Sequence, residues 1–77
     1  MNRPKFTAGF NHGQRAQRHR TKVLAPYQLA TMSEDFQAGY RAGALVGAFI
    51  TCEQDATNEL NKAWVAVGGN HDVKTAA

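Results

Sequence analysis

The stretch FQAGYRAGALVG, residues 36–47, carries three glycines spaced four residues apart, at Gly39, Gly43 and Gly47. On a helix with about 3.6 residues per turn, this spacing places all three glycines in one narrow stripe. A glycine inside a helix costs about 1 kcal/mol relative to alanine, so three in one stripe need a structural reason. Because glycine has no Cβ, a second backbone can approach such a stripe closely. We therefore predict a helix that packs tightly against a partner helix.

The same spacing occurs in helices that dimerise within membranes, but the apolar run here is too short to span one. It extends only from Ala42 to Cys52, whereas a bilayer takes about 20 residues. The single cysteine, Cys52, excludes an internal disulfide, and no stretch has the pattern of a signal peptide. These features favour a cytoplasmic protein with no membrane partner.

The 77 residues are predicted to form one small all-α domain, in which capping and breaking signals mark the helix ends. Thr7 can cap a first helix, Pro26 interrupts the chain after it, and Ser33 can cap a second helix with two acids in its first turn. No glycine or proline separates the second helix from the third, so one continuous helix is the alternative. The prediction comprises a flexible start (1–6), a basic helix (7–20), a linker (21–32), a central helix (33–52), a C-terminal helix (55–67) and a flexible tail (68–77).

The central helix is apolar on all sides from Ala44 onward, which indicates burial on two sides. One side can contact the first helix, and the other needs the third helix or a second subunit. We predict a homodimer that forms through Leu45, Phe49 and Trp64. In the same apolar segment, Cys52 is expected to be a buried thiol rather than a nucleophile.

The charges are distributed unevenly along the chain. Residues 1–22 carry +6 with no acid, whereas residues 23–77 carry −3. On the first helix, the cations lie on the side opposite Phe6, Gly9, Phe10 and Gly13, which suggests a polyanionic partner such as RNA. A solvated basic face without a partner is the alternative. The candidate RNA-contacting residues are Arg15, Arg18, His19, Arg20, Lys22 and Tyr27; for Tyr27, packing through the ring is the favoured reading and base stacking the alternative.

Two segments of the chain share the pattern Ala-Gly-aromatic-x-x-Gly. They begin at Ala8 and at Ala38, 30 residues apart. Two helices with the same notch of small residues can cross with the notches facing each other, although a chain with seven glycines can also show this pattern by chance. The repeat predicts that the first helix is the partner of the central helix.

Three motifs occur in a recognisable order: Gly9-Phe10-Asn11-His12-Gly13, then Pro26-Tyr27-Gln28, then Phe36 followed by Gly39-Tyr40-Arg41. In this order they resemble the ribosome modulation factor family, over roughly residues 8–44. The resemblance implies two helices with a connecting segment, and binding to the small ribosomal subunit near the 3′ end of its RNA, which helps ribosomes enter an inactive, paired state. Residues 45–77 have no counterpart in compact family members. The residues that carry the family motifs or their packing are Gly9, Phe10, Gly13, Pro26, Phe36, Gly39, Tyr40, Arg41 and Gly43.

The sequence offers no constellation typical of an enzyme, and we expect no catalytic activity, cofactor or metal. Cys52 has no obvious neighbouring base, and one cysteine cannot supply a zinc finger. His12 and His19 are seven residues apart on the predicted basic face, too far for one helical metal pair. A second hypothesis is a protein-interaction module, such as a phage- or plasmid-encoded inhibitor of a host protein, that uses the C-terminal helices. A third, less favoured, is a DNA-binding protein.

Overall fold

The structure, a computed structural model, describes residues 2–20 and 24–69. Its regular elements are all helical, which confirms the predicted all-α class. In chain order they are α1 (Arg3–His19), α2 (Pro26–Leu29), α3 (Glu34–Val46), a 3₁₀ turn (Gly47–Phe49) and α4 (Glu53–Ala66).

Helix α1 begins at Arg3, so the predicted flexible start (1–6) and the Thr7 cap are wrong for the described residues. Asn2 is the N-cap, and its side-chain oxygen accepts a hydrogen bond from the Lys5 backbone N–H at 3.0 Å. Pro4 is tolerated because the N–H groups of the first turn have no partner within the helix. The earlier start adds one turn and places Phe6 in the core, fully buried.

Helix α3 ends at Val46 and α4 begins at Glu53, so the predicted bounds 33–52 and 55–67 are wrong at the junction. The 3₁₀ turn follows α3, and the chain becomes extended at Ile50, whose side chain is buried. The structure therefore has the predicted break between two helices, and the alternative of one continuous helix is wrong. Helix α4 ends at Ala66, one residue before the predicted end at residue 67, and Gly68 follows it in a left-handed conformation with φ +80°.

Helices α1 and α3 run parallel to each other. At their N-terminal ends, the Asn2 backbone N–H donates to Asp35 Oδ2 at 3.1 Å. Near their C-terminal ends, a Cβ added at Gly47 would lie 2.6 Å from the Gln17 Cβ. Because the two helices point the same way, the chain between them must return along their length, which explains why the connection is long.

The predicted contact between the two glycine notches is confirmed. A Cβ added at Gly39 would collide with the carbonyl oxygen of Phe6, and one added at Gly9 would collide with that of Phe36. These two contacts are related by the 30-residue offset of the sequence repeat. The same offset relates two further contacts, Gly43 against Phe10 and Gly13 against Tyr40. The repeat is thus a structural one, in which each helix presents the same notch to the other.

The predicted linker (21–32) contains the short helix α2, which begins at Pro26, where the fixed φ of proline suits a first helical residue. The Leu24 backbone N–H donates to the Tyr40 hydroxyl at 3.0 Å, which holds the linker on α3. The linker is therefore held against α3 at Leu24.

Helix α4 is anchored to α1 by an aromatic pair. The rings of Phe6 and Trp64 meet edge to face, with centroids 5.2 Å apart, and Trp64 is only 2% exposed. The Arg3 guanidinium lies over the Trp64 ring and donates to Asn61 Oδ1 at 2.7 Å. Trp64 is therefore a core residue, and its assignment to a dimer surface is wrong.

Cys52 is exposed and occupies the N-cap position of α4, so the expected buried thiol is wrong. The cause is the early end of α3: the chain has already left the apolar helix when it reaches Cys52. Leu45 and Phe49 are 77% and 78% exposed, as a surface for a partner requires.

Candidate nucleic-acid interface

The centre of the cationic face of α1 is formed by Arg15 and Arg18. Their positions are three residues apart, so both side chains emerge from the same side of the helix. Both guanidinium groups approach the carboxylate of Glu53 on α4. Arg15 Nη2 lies 4.0 Å from Glu53 Oε1, and Arg18 Nη1 lies 3.5 Å from Glu53 Oε2.

Arg18 is also held from within the molecule by Gln14. Gln14 is fully buried, and its Oε1 accepts a hydrogen bond from Arg18 Nη1 at 3.4 Å. The Gln14 Nε2 donor has no hydrogen-bond partner among the described residues. Sequence reasoning missed this buried amide, although Gln14 continues the spacing of four residues set by Phe6 and Phe10.

The remaining candidate cations lie at the end of α1. His19 and Arg20 are exposed, and Arg20 closes the helix in the left-handed conformation, with φ 57°. Its backbone N–H donates to the Ala16 carbonyl oxygen, which satisfies one of the last free acceptors of the helix. Lys22 lies outside the described residues.

Tyr27 lies on α2 and is 74% exposed. The expectation that its ring packs on the helices is therefore wrong, whereas base stacking requires an exposed ring of this kind. Pro26, beside it, is exposed as well and is the first residue of α2.

Most residues of the three motifs form the α1–α3 contact rather than the surface. The glycines, Phe10 and Tyr40 are buried, and the Phe36 ring is half-buried and stacks on Tyr40 with centroids 6.4 Å apart. Arg41 is exposed on α3, and its Nη2 donates to Gln37 Oε1 at 3.4 Å. The acceptor for Arg41 is thus the side-chain amide oxygen of a residue one turn earlier on the same helix.

His12 does not join the cationic face, contrary to the sequence-based placement. It is half-buried, and its ring centroid lies 6.2 Å from that of Phe36 and 5.7 Å from that of Tyr40. Its position in the helix, one residue before Gly13, directs it towards α3. The cationic face is therefore formed by the last two turns of α1.

The start of α4 is fixed by Asp55, which accepts hydrogen bonds from both the hydroxyl and the backbone N–H of Thr51, at 2.7 and 3.3 Å. The side-chain hydrogen bond from Thr51 is the main cause that lowers the pKa of Asp55 below its ordinary value. These bonds determine where Glu53 stands relative to α1.

A second surface is the apolar groove between α3 and α4, with a volume of about 280 Å³. Leu45 on α3 and Val67 after α4 are its large exposed apolar side chains. An acid and a base, Glu59 and Lys62, also line it and form an ion pair at 3.4 Å. The other lining residues are small or aliphatic: Ala42, Val46, Ala63 and Ala66.

The chain matches no protein-family model, no curated protein and no solved structure. None of the helices in residues 2–20 and 24–69 has the length and apolar character needed to cross a membrane. Within the same residues, His, Cys, Asp and Glu side chains form no group of three that could hold a metal ion. The cationic face of α1 and the apolar groove between α3 and α4 are thus the two candidate binding surfaces of the described residues.

Proposed function

We propose that this protein is a cytoplasmic translational regulator that binds the ribosome through RNA contacts of α1. The observation that carries the proposal is the acid-free helix whose buried side packs on α3 while Arg15, His19 and Arg20 face solvent. The resemblance to the ribosome modulation factor family supports the choice of the ribosome as the RNA-containing partner.

The cationic face suits the phosphate backbone of folded RNA. Guanidinium groups bind phosphate oxygens through paired, charge-assisted hydrogen bonds. Structured RNA is recognised largely by shape and backbone, which requires cations at fixed positions rather than side chains that read bases. The tight α1–α3 contact supplies that rigidity, since a helix held along its length cannot bend away from its partner.

The exposed ring of Tyr27 can add a base-stacking contact. Its α2 position is held near α3 by the hydrogen bond from Leu24 to Tyr40. Residues Pro26 and Tyr27 belong to the family motif, so an exposed position for them agrees with a contact role. In this proposal, the buried motif residues form the scaffold, and the exposed Tyr27 of the second motif contacts RNA.

The test is sedimentation of lysate containing the tagged protein through sucrose gradients at low and high salt. We expect the protein to migrate with small subunits or paired ribosomes at low salt and to dissociate at high salt, because phosphate contacts release counterions. The double variant Arg15→Glu/Arg18→Glu is expected to lose this migration while circular dichroism shows intact helices.

A matched control is Arg41→Glu/Lys62→Glu, which changes the net charge equally at exposed sites on α3 and α4. It is expected to retain ribosome binding. A wild-type protein that stays at the top of the gradient, or two double variants that behave alike, would refute the proposal.

The second candidate is a protein-interaction module that uses the C-terminal half of the chain. The exposure of Leu45, which lines the apolar groove, and that of Phe49, after α3, favour it. The predicted homodimer is the simplest occupant, since the groove carries both an acid and a base and a second copy can match them. Without Trp64, such a dimer would rest on Leu45 and Phe49. Sedimentation velocity tests it: Leu45→Glu/Phe49→Glu should convert a dimer to a monomer, and a wild-type monomer at all concentrations would exclude it.

A truncated chain that ends at Cys52 would not distinguish the RNA-binding function from the protein-interaction function. It would lack Trp64 and expose the fully buried Phe6, so the loss of either activity would follow from the loss of the core. The surface substitutions above leave that core intact.

A further inference from the structure

Two arginines on α1 converge on one anion that the chain itself provides. The Glu53 carboxylate receives Arg18 at 3.5 Å and Arg15 at 4.0 Å, one guanidinium near each oxygen. A carboxylate and a phosphate group present comparable oxygen pairs to arginine. The position of the Glu53 carboxylate therefore marks the point at which both arginines can hold one phosphate.

Glu53 is loosely held at this point. Its side chain is 72% exposed, and both distances exceed those of close charge-assisted hydrogen bonds. The start of α4 does not depend on it, because the two hydrogen bonds between Thr51 and Asp55 hold that turn. The Glu53 side chain can consequently move aside without unwinding α4.

Arg18, in contrast, is directed towards this point by the protein interior. Its side chain is only 18% exposed, and the buried Gln14 accepts a hydrogen bond from the same Nη1 that approaches Glu53. The Gln14 hydrogen bond is long, at 3.4 Å, so the low exposure of Arg18 is the main constraint on its direction. A side chain that is mostly buried keeps its direction when Glu53 leaves, so the phosphate site remains in place.

We propose that Arg15 and Arg18 form a single site for an RNA backbone phosphate, and that Glu53 is an intramolecular competitor for it. The inference rests on the proposed RNA-binding function and adds a mechanism that sets its strength. Each binding event exchanges one carboxylate for one phosphate, so affinity is lower than the cationic face alone would give. A polyanion that cannot displace the Glu53 carboxylate therefore does not bind at the site formed by Arg15 and Arg18.

The test uses the full chain and a fluorescein-labelled RNA hairpin, with affinity measured by fluorescence anisotropy. Glu53→Gln keeps the shape of the side chain and removes its charge. We expect it to bind RNA about three- to tenfold more tightly than the wild type at about 50 mM salt, with a smaller gain at higher salt.

The matched control is Glu59→Gln, which makes the same charge change on α4 at a residue paired with Lys62 instead of the arginines. It should change RNA affinity by less than about twofold, since only the net charge is altered. Adding Arg18→Gln to Glu53→Gln should abolish the gain. Circular dichroism verifies that each variant is folded.

Equal gains in Glu53→Gln and Glu59→Gln, no gain in Glu53→Gln, or no RNA binding by any variant would each overturn the proposal. The ribosome gradient is run in parallel with the same variants. If Glu53→Gln gains RNA affinity but no variant migrates with ribosomal subunits, the phosphate site stands and the proposed ribosomal function fails.

Discussion

At the scale of single residues, the fold depends on glycines, whose lack of a Cβ atom lets two helices come into close contact. The backbones of α1 and α3 approach so closely that a methyl group at any of the four notch glycines would meet a carbonyl oxygen of the other helix. A backbone oxygen cannot rotate away as a flexible side chain can. The helix-propensity cost of these glycines is therefore offset by contact along the helix pair.

Gly39→Ala should destabilise the protein by about 3 kcal/mol, because the new Cβ would collide with the Phe6 carbonyl oxygen and force α1 and α3 apart. The gain in helix propensity, about 1 kcal/mol, offsets only part of this loss. Urea denaturation followed by circular dichroism measures the change in the free energy of unfolding.

The control for this prediction is Gly68→Ala. Gly68 has φ +80° with no atom within 4 Å of an added Cβ, so only the strain of the left-handed conformation remains. We expect a cost of about 1 kcal/mol. A Gly39→Ala variant that is no less stable than Gly68→Ala would show that the two helices do not meet as described.

At the scale of elements, the break between α3 and α4 decides where the acidic and basic groups meet. Ile50 turns inward, and the Thr51–Asp55 hydrogen bonds begin α4 two residues earlier than the sequence predicts. Since Glu53 is the first residue of α4, this earlier start places its carboxylate against α1. A polar stretch identifies the region of a break, but the buried Ile50 determines the residue at which it falls.

The pairing of Thr51 with Asp55 predicts a pH-dependent contribution to stability. The pKa of Asp55 is lower in the folded protein than its ordinary value of 3.8, chiefly because the Thr51 hydroxyl donates to the carboxylate. The unfolded chain therefore binds the proton first as pH falls. The contribution is fully present above about pH 4 and is lost as pH falls through the lowered pKa.

Thr51→Val should remove the larger part of this contribution. We expect the variant to be less stable than the wild type at neutral pH, and the difference to shrink as pH falls below 3.8. Thermal unfolding across pH 2–7, a range of about 5 units that includes the titration of Asp55, measures this difference in stability. Thr57→Val, which removes a hydrogen bond to the Glu53 carbonyl, should show a difference that does not vary with pH. A constant difference for Thr51→Val would contradict the assignment.

At the scale of the whole molecule, α4 is part of the core rather than an appendage. Trp64 covers Phe6, which belongs to the first turns of α1, so the two ends of the described chain are packed together. Chains of this size bury a smaller fraction of their unfolded surface than larger domains do, so one large aromatic side chain contributes much of the core.

Trp64→Ala should cost about 3–5 kcal/mol, enough to unfold much of a protein this small. Val65→Ala on the exposed side of α4 should change the free energy of unfolding by less than about 0.5 kcal/mol. Circular dichroism during urea denaturation measures both, because the variant lacks the only tryptophan of the chain. If Trp64→Ala were as mild as Val65→Ala, α4 would not be packed on α1 as described.

The sequence by itself determined the features that depend on local spacing. The helical class, the glycine stripe around Gly39 and its pairing with the Gly9 notch follow from periodicities of three and four residues. The Ser33 cap follows from the capping preference of serine. The resemblance over residues 8–44 also arises from these local motifs. The cationic face of α1 was predictable from the absence of acids in residues 1–22.

The tertiary structure alone decided the features that join distant residues. Trp64 was assigned to the wrong surface because its partner, Phe6, lies more than 30 positions away along the chain. Glu53 was given no role, because its partners, two arginines of α1, are equally remote in sequence. The burial of Gln14 became visible only once α3 lay against α1. Local patterns state which sides of a helix are apolar or charged. Which partner meets each side depends on contacts across the chain, and here those contacts placed an acid of α4 on the face of α1 proposed to bind RNA.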